Sequence, residues 1–243
     1  MDVTLVGLAP IILASFAIGA VLGFGNTVIA LAVASHFYRV DELLPVLVPL
    51  NVVTAVYFVV RHGGGVAWRL VAVQILPMTG IGLGLGLLLF HALAGTTIKG
   101  VLGLLVVMLS GYELLKLAGL SRISAPLGTR ARAVCLVAAG VVHGIYASGG
   151  PLLVYALGRS ELGKSEFRNT LWAVWLVLSG VLMTAYAFGG MMNKVSLTRF
   201  GVLLPVVVVG TALGEWGHHR INEERFRLAV FSLLLVVGAA LLV

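Results

Sequence analysis

The sequence predicts an all-α polytopic membrane protein: two inverted repeats, each a re-entrant or broken helical hairpin plus three transmembrane helices. Three observations lead there. Of 243 residues, 60% are hydrophobic and only 10% charged, with a mean hydropathy of +1.11; a soluble domain carries about a quarter charged residues. The apolar residues fall in continuous runs near the roughly 20 residues that span a bilayer as helix, without the alternation of a β-barrel. Glycine-rich interruptions stand at corresponding places in the two halves of the chain.

The first stretch, Val3–Phe37, is 35 residues long, too long for one untilted crossing at 1.5 Å per residue. It is broken by GFGNT (23–27). Asp2 precedes it and no Lys or Arg does, so it lacks the basic region of a secretory signal and is expected to belong to the mature fold. Apolar runs Leu43–Val60, Leu70–Phe90 and Gly100–Tyr112 follow. The second half repeats the plan: Ala133–Gly158, broken by ASGGP (147–151), then Thr170–Met192, Phe200–Gly214 and Leu228–Val243.

Setting Leu76-Pro77 against Leu204-Pro205, an offset of 128, also pairs Gly82 with Gly210, Gly86 with Gly214 and His91 with His219. The two breaks align at a slightly smaller offset, and Asn51 and Asn169 punctuate the next helix of each half. This order predicts an internal duplication, a frequent plan of secondary transporters, with repeat one at 1–120, repeat two at 131–243 and a cytoplasmic link at 117–132. Pro77 and Pro205 are expected to kink their helices alike, because proline removes a donor and crowds the preceding turn. The glycines of TGIGLGLG (79–86) read as close helix contacts.

Positive charge selects the topology. If both broken stretches span, Lys and Arg divide eight to eight between the faces; if both are hairpins, they divide twelve to four, with only Arg39, Lys99, Lys194 and Arg199 on the lesser side. Cytoplasmic loops carry the Lys and Arg excess, which favours hairpins, both termini extracytoplasmic, and a second repeat inverted because three crossings separate the hairpins. A location in the cell (inner or plasma) membrane follows. The net charge of +7 is read as topology signal on loops rather than a nucleic-acid-binding face. The lone Cys135 excludes an intrachain disulfide.

Irregular backbone at membrane depth is tolerated where protein buries it or where it lines a polar cavity. Two matched breaks therefore point to a binding site. Pro151 suits the first position of a helix that starts there, and Gly149 and Gly150 before it let backbone amides approach an anion at the positive helix end. In the first break, beside Gly23 and Gly25, Asn26 or Thr27 is expected either to cap the following helix or to offer its side chain to a ligand. Two such helix starts would hold a small anion without a full positive charge, firmly enough to capture and weakly enough to release. Ser148, Asn51 and Asn169 complete the substrate-binding candidates.

His143, about halfway along the first arm of the second hairpin with Tyr146 three residues on, is the proton-coupling candidate. Glu113 and Lys116 read as an interfacial pair on one helix face. Glu215, near His218 and His219, lies at a boundary, and the adjacent histidines diverge on a helix, so no metal site is expected. Arg168 reads as an anchor on the cytoplasmic face.

The breaks GFGNTVIALAVA and GIYASGGPLLVYAL, together with LPMTGIGLGLG and LPVVVVGTALG, resemble the TauE/SafE family of sulfite and sulfonate permeases over essentially the whole chain. The first break departs from the family's commoner glycine triplet, having Gly25-Asn26-Thr27. The resemblance implies transport of sulfite, sulfoacetate or related organosulfur anions, with export the expected direction, no cofactor and no enzymatic activity. Two alternatives remain from the residues themselves. One is a passive anion channel. The other is an intramembrane hydrolase using Ser148 and His143, which needs a base within hydrogen-bond reach of the serine.

Overall fold

A computed structural model of the chain describes residues 3–92, 95–120, 128–157, 162–218, 220 and 223–242. His219 and most of the link, 121–127, lie outside the described residues. Among the described residues the secondary structure is entirely helical. Five helices are long and apolar enough to cross a membrane.

The first half contains α1 (Val3–Leu22), α2 (Asn26–Ala34), α3 (Val40–His62), α4 (Trp68–Leu70), α5 (Leu76–Ala92) and α6 (Gly95–Leu117). The second contains α7 (Thr129–Tyr146), α8 (Gly150–Leu157), α9 (Lys164–Phe188), α10 (Lys194–His218) and α11 (Glu223–Ala240). The helix α7 starts inside the segment expected to be a link, at Thr129.

Both broken stretches fold back as hairpins. Gly23 and Gly25 hold φ of 81° and 94°, a left-handed region open to glycine without steric cost. The turn they make lays Asn26 against Gly19 and brings the Tyr38 hydroxyl back to Gly7. In the second hairpin Ala147 takes the left-handed turn at φ 51°, its N–H bonding the His143 carbonyl at 2.7 Å. Gly149 then returns against the Ala139 carbonyl.

The hairpins are seated on helices of the opposite half: α7 lies along α5, and α1 along α10. The other two principal pairings join α3 to α9 and α6 to α11. Exchanging the two halves returns the same set of pairings. The glycines explain the closeness of the first two. A methyl group built on Gly82 or Gly86 would lie 2.0 or 2.3 Å from the carbonyls of Val137 or Val141 on α7. Gly210 and Gly214 approach Leu13 and Ala17 of α1 in the same way, at 2.7 and 2.2 Å.

Individual contacts fix the helix directions. Successive glycines meet successive turns of the partner, so α5 runs parallel to α7 and α10 parallel to α1. Arg199 pairs with Glu42 near the starts of α10 and α3, and Arg61 with Glu215 near their ends, making these parallel too. By contrast Thr170, early in α9, accepts a hydrogen bond from Ala67 N–H just before α4, while Phe90 meets Tyr186 at the far ends of α5 and α9. Thus α5 and α9 are parallel, and Gly65, just past the end of α3, meets Asn169 at the start of α9. It follows that α1 and α7 run in opposite directions, and the hairpins enter the bundle from opposite ends.

Pro77 and Pro205, expected to kink their helices alike, have different local surroundings. Pro205 lies within an uninterrupted α10. Before Pro77 the chain widens into a π-helical turn, Val71–Ile75, between α4 and α5, which relieves the crowding of the ring against the preceding carbonyls. The outer faces of α5 and α10 leave Ile81, Leu88, Val208 and Leu213 exposed, as suits helices turned toward lipid rather than water.

Candidate functional site

The two breaks meet. Gly25, Asn26, Thr27 and Asn51 from the first half, and Ala147, Ser148, Gly149, Gly150 and Trp175 from the second, line one small cavity together with Val28. Seven of the candidate binding residues thus come together: Gly25, Asn26, Thr27, Asn51, Ser148, Gly149 and Gly150. The lining contains no Asp, Glu, Lys or Arg.

Two helices begin at this cavity. The first hydrogen bond of α2 runs from Ile29 N–H to the Gly25 carbonyl at 2.9 Å, and that of α8 from Leu153 N–H to the Gly149 carbonyl at 3.1 Å. The N–H groups of Asn26, Thr27 and Val28, and of Gly150 and Leu152, precede those bonds and have no acceptor within their helices. Pro151, the second residue of α8 rather than the first as expected, has no N–H to lose. The positive ends of both helices therefore face a common space. Thr27 Oγ1 adds a buried donor with no partner among the described residues.

Asn26 does not cap α2. Gly25 occupies the cap position without any side-chain cap bond, and Asn26 is already in the helix with its amide turned away. Asn26 Nδ2 donates to Asn51 Oδ1 at 2.7 Å, and Asn51 Nδ2 donates to Ser179 Oγ at 2.9 Å. Ser179 Oγ lies 3.3 Å from His143 Nε2. A buried chain of four polar side chains thus joins α2, α3, α9 and α7. His143 stacks on Trp175, with ring centroids 5.4 Å apart, and Trp175 Nε1–H donates to the Gly23 carbonyl at 3.2 Å.

Other candidates lie elsewhere. His143 is in the last turn of α7, beside the break, rather than halfway along the arm; the helix extends further toward its start than the apolar run alone implied. Tyr146 donates to the Ile98 carbonyl at 2.8 Å, on the side facing α6. Pro151 lines a separate apolar crevice with Phe24 and Phe231. Gly23 is behind the cavity, and Asn169 packs against Gly65 near the start of α9. Glu113 and Lys116 do pair, at 3.8 Å.

Ser148 and His143 are not bonded: Nε2 of His143 is near Ser179, and Nδ1 has no partner among the described residues. The geometry therefore lacks the base contact that a serine nucleophile requires. No group of three or more potential ligands converges on a metal position among the described residues. Sequence reasoning missed Trp175 and Ser179. Ser179 was within reach, since it lies 128 residues from Asn51, the register that already paired the two prolines.

The family "Sulfite exporter TauE/SafE" matches residues 8–241 of the chain. A probable sulfite/organosulfonate exporter TauE from Cupriavidus necator is 27% identical over 98% of this chain and 93% of its own length. A probable inner membrane transporter protein TsaS from Comamonas testosteroni is also 27% identical, over 74% of this chain and 76% of its own. No solved structure matches the chain.

Proposed function

Because the chain belongs to the sulfite exporter TauE/SafE family of membrane transporters, we propose that it is a secondary transporter of small organosulfur anions, such as sulfite or sulfoacetate, working in the direction of export. The observation that carries the reading is the shared cavity, where the starts of α2 and α8 and the unpartnered Thr27 hydroxyl supply donors but no cation. Backbone N–H groups at helix starts bind oxyanions without proton exchange. Ser148 and the carboxamides of Asn26 and Asn51 would orient the oxygens.

The cavity has room for about one water molecule, near 10 Å³. An anion reaches it only if the hairpins part, so this arrangement corresponds to the closed member of an alternating cycle. The halves 1–120 and 131–243 act in that cycle as inverted repeats. Support comes from the opposite directions of α1 and α7 and from helix pairings unchanged when the halves are exchanged. The basic face is cytoplasmic and both termini are outside. His143, linked to the cavity through Ser179 and Asn51, is the group that couples flux to protons.

Proteoliposomes test this reading. An imposed proton gradient should drive sulfite uphill, and sulfite or sulfoacetate, rather than sulfate or taurine, should raise the melting temperature. Flux that only follows the sulfite gradient identifies a passive channel instead.

A further inference from the structure

Arg168, the fifth residue of α9, is half-buried, and part of its guanidinium finds no acceptor among the described residues. Its Nε and Nη1 are the buried nitrogens without a described acceptor. The carboxylate whose field reaches it is Glu215, but that group is already held by the Tyr57 hydroxyl at 2.5 Å, His62 Nε2 at 3.2 Å and Arg61 Nε at 3.5 Å. Arg168 instead rests over the Phe58 ring, 5.8 Å from its centre. Trp172, one turn on, stacks on the same ring at 4.5 Å and keeps a buried Nε1–H without a partner among the described residues.

Desolvated N–H groups on a full charge are costly unless an acceptor meets them. A guanidinium presents its donors in a plane that matches two oxygens of one oxyanion. The position is equally telling. The Arg168 stem fills the space where a side chain on Gly23 would go, its Cγ 2.7 Å from a methyl group built there. Gly23 in turn accepts from Trp175, which lines the break cavity. Arg168 and Trp175 are seven residues apart on α9, about 10 Å along the helix axis.

We propose that Arg168, with Trp172 Nε1–H, forms a waiting subsite for the oxyanion headgroup, between the basic face of the bundle and the break cavity. The inference rests on the transport reading above. It separates two tasks: a full charge captures the anion from water, and the uncharged cavity beyond it binds loosely enough to pass the anion on. Gly23 is then glycine for two reasons, its left-handed φ and the room it leaves for the arginine stem.

The experiment measures initial sulfite flux in proteoliposomes for wild type, Arg168→Gln and Arg168→Lys, across sulfite concentration and ionic strength. Arg168→Gln should raise the half-saturating sulfite concentration roughly tenfold, keep the maximal rate within about twofold, and flatten the salt dependence. Arg168→Lys, a charge without the planar fork, should raise half-saturation about threefold. Unchanged half-saturation in both variants overturns the subsite. If Arg168→Gln fails to assemble, Arg168→Lys decides alone, and an unchanged value overturns it. A wild type that moves neither sulfite nor sulfoacetate refutes the transport reading itself, before any variant is compared.

Discussion

Asn51 and Ser179 are 128 residues apart in sequence and 2.9 Å apart in space. That separation is the same offset that superposes Leu76-Pro77 on Leu204-Pro205. If the halves are copies, each residue touches its own counterpart, and contacts of that kind form only on the axis relating the copies. The polar chain from Asn26 to His143 crosses this point.

Replacing Asn51 with Ala should therefore be more damaging than replacing one surface amide. It leaves Asn26 Nδ2 without its acceptor and withdraws the Asn51 Nδ2 donor from Ser179 Oγ, and an orphaned buried donor costs about 1–3 kcal/mol. Thermal melting in detergent should fall clearly, and anion stabilisation should weaken. Ser179→Ala removes the acceptor of Asn51 Nδ2 and the partner of His143 Nε2 together, so its melting temperature should fall by a comparable amount.

The glycine seams give a contrast within one helix. Gly86→Ala places a methyl group 2.3 Å from the Val141 carbonyl, where backbone must move; overpacking of this kind costs about 1–3 kcal/mol. Gly80→Ala and Gly84→Ala, with nothing within 4 Å, should melt within error of wild type or slightly higher. Equal melting of all three would refute the seam.

Hairpin topology has a labelling test. In a Cys135→Ala background, cysteines at the exposed positions Gly163 and Thr97 should react with impermeant reagent from opposite sides, Gly163 from the cytoplasm. Equal reaction from one side sinks the proposed topology.

His143→Ala should flatten the pH dependence of sulfite flux while the protein still folds, since Ser179 keeps its bond from Asn51. Full pH-dependent flux in the variant removes His143 from proton coupling.

The helices were largely legible, because lipid demands long apolar runs and those runs are visible as composition. Thr170–Met192, for example, became α9, Lys164–Phe188. The breaks were legible for the same reason: glycine and asparagine are conspicuous where everything else is apolar. What sequence could not supply was helix rotation. Asn169 and Ser179 both lie on α9, yet only Ser179 turns toward Asn51, a choice made by the packing of α9 on α3. For Arg168 the sequence shows a charge at the cytoplasmic face, but not that its buried Nε and Nη1 lack an acceptor among the described residues.

The glycine seams carry a mechanical consequence. Backbone lies on backbone where α1 meets α10 and where α7 meets α5, so neither hairpin can slide without dragging a helix of the other half. A simple rocking of one half against the other would tear both seams. Any movement of the first hairpin would therefore carry α10 with it, and any movement of the second would carry α5, so each moving body would hold parts from both ends of the chain.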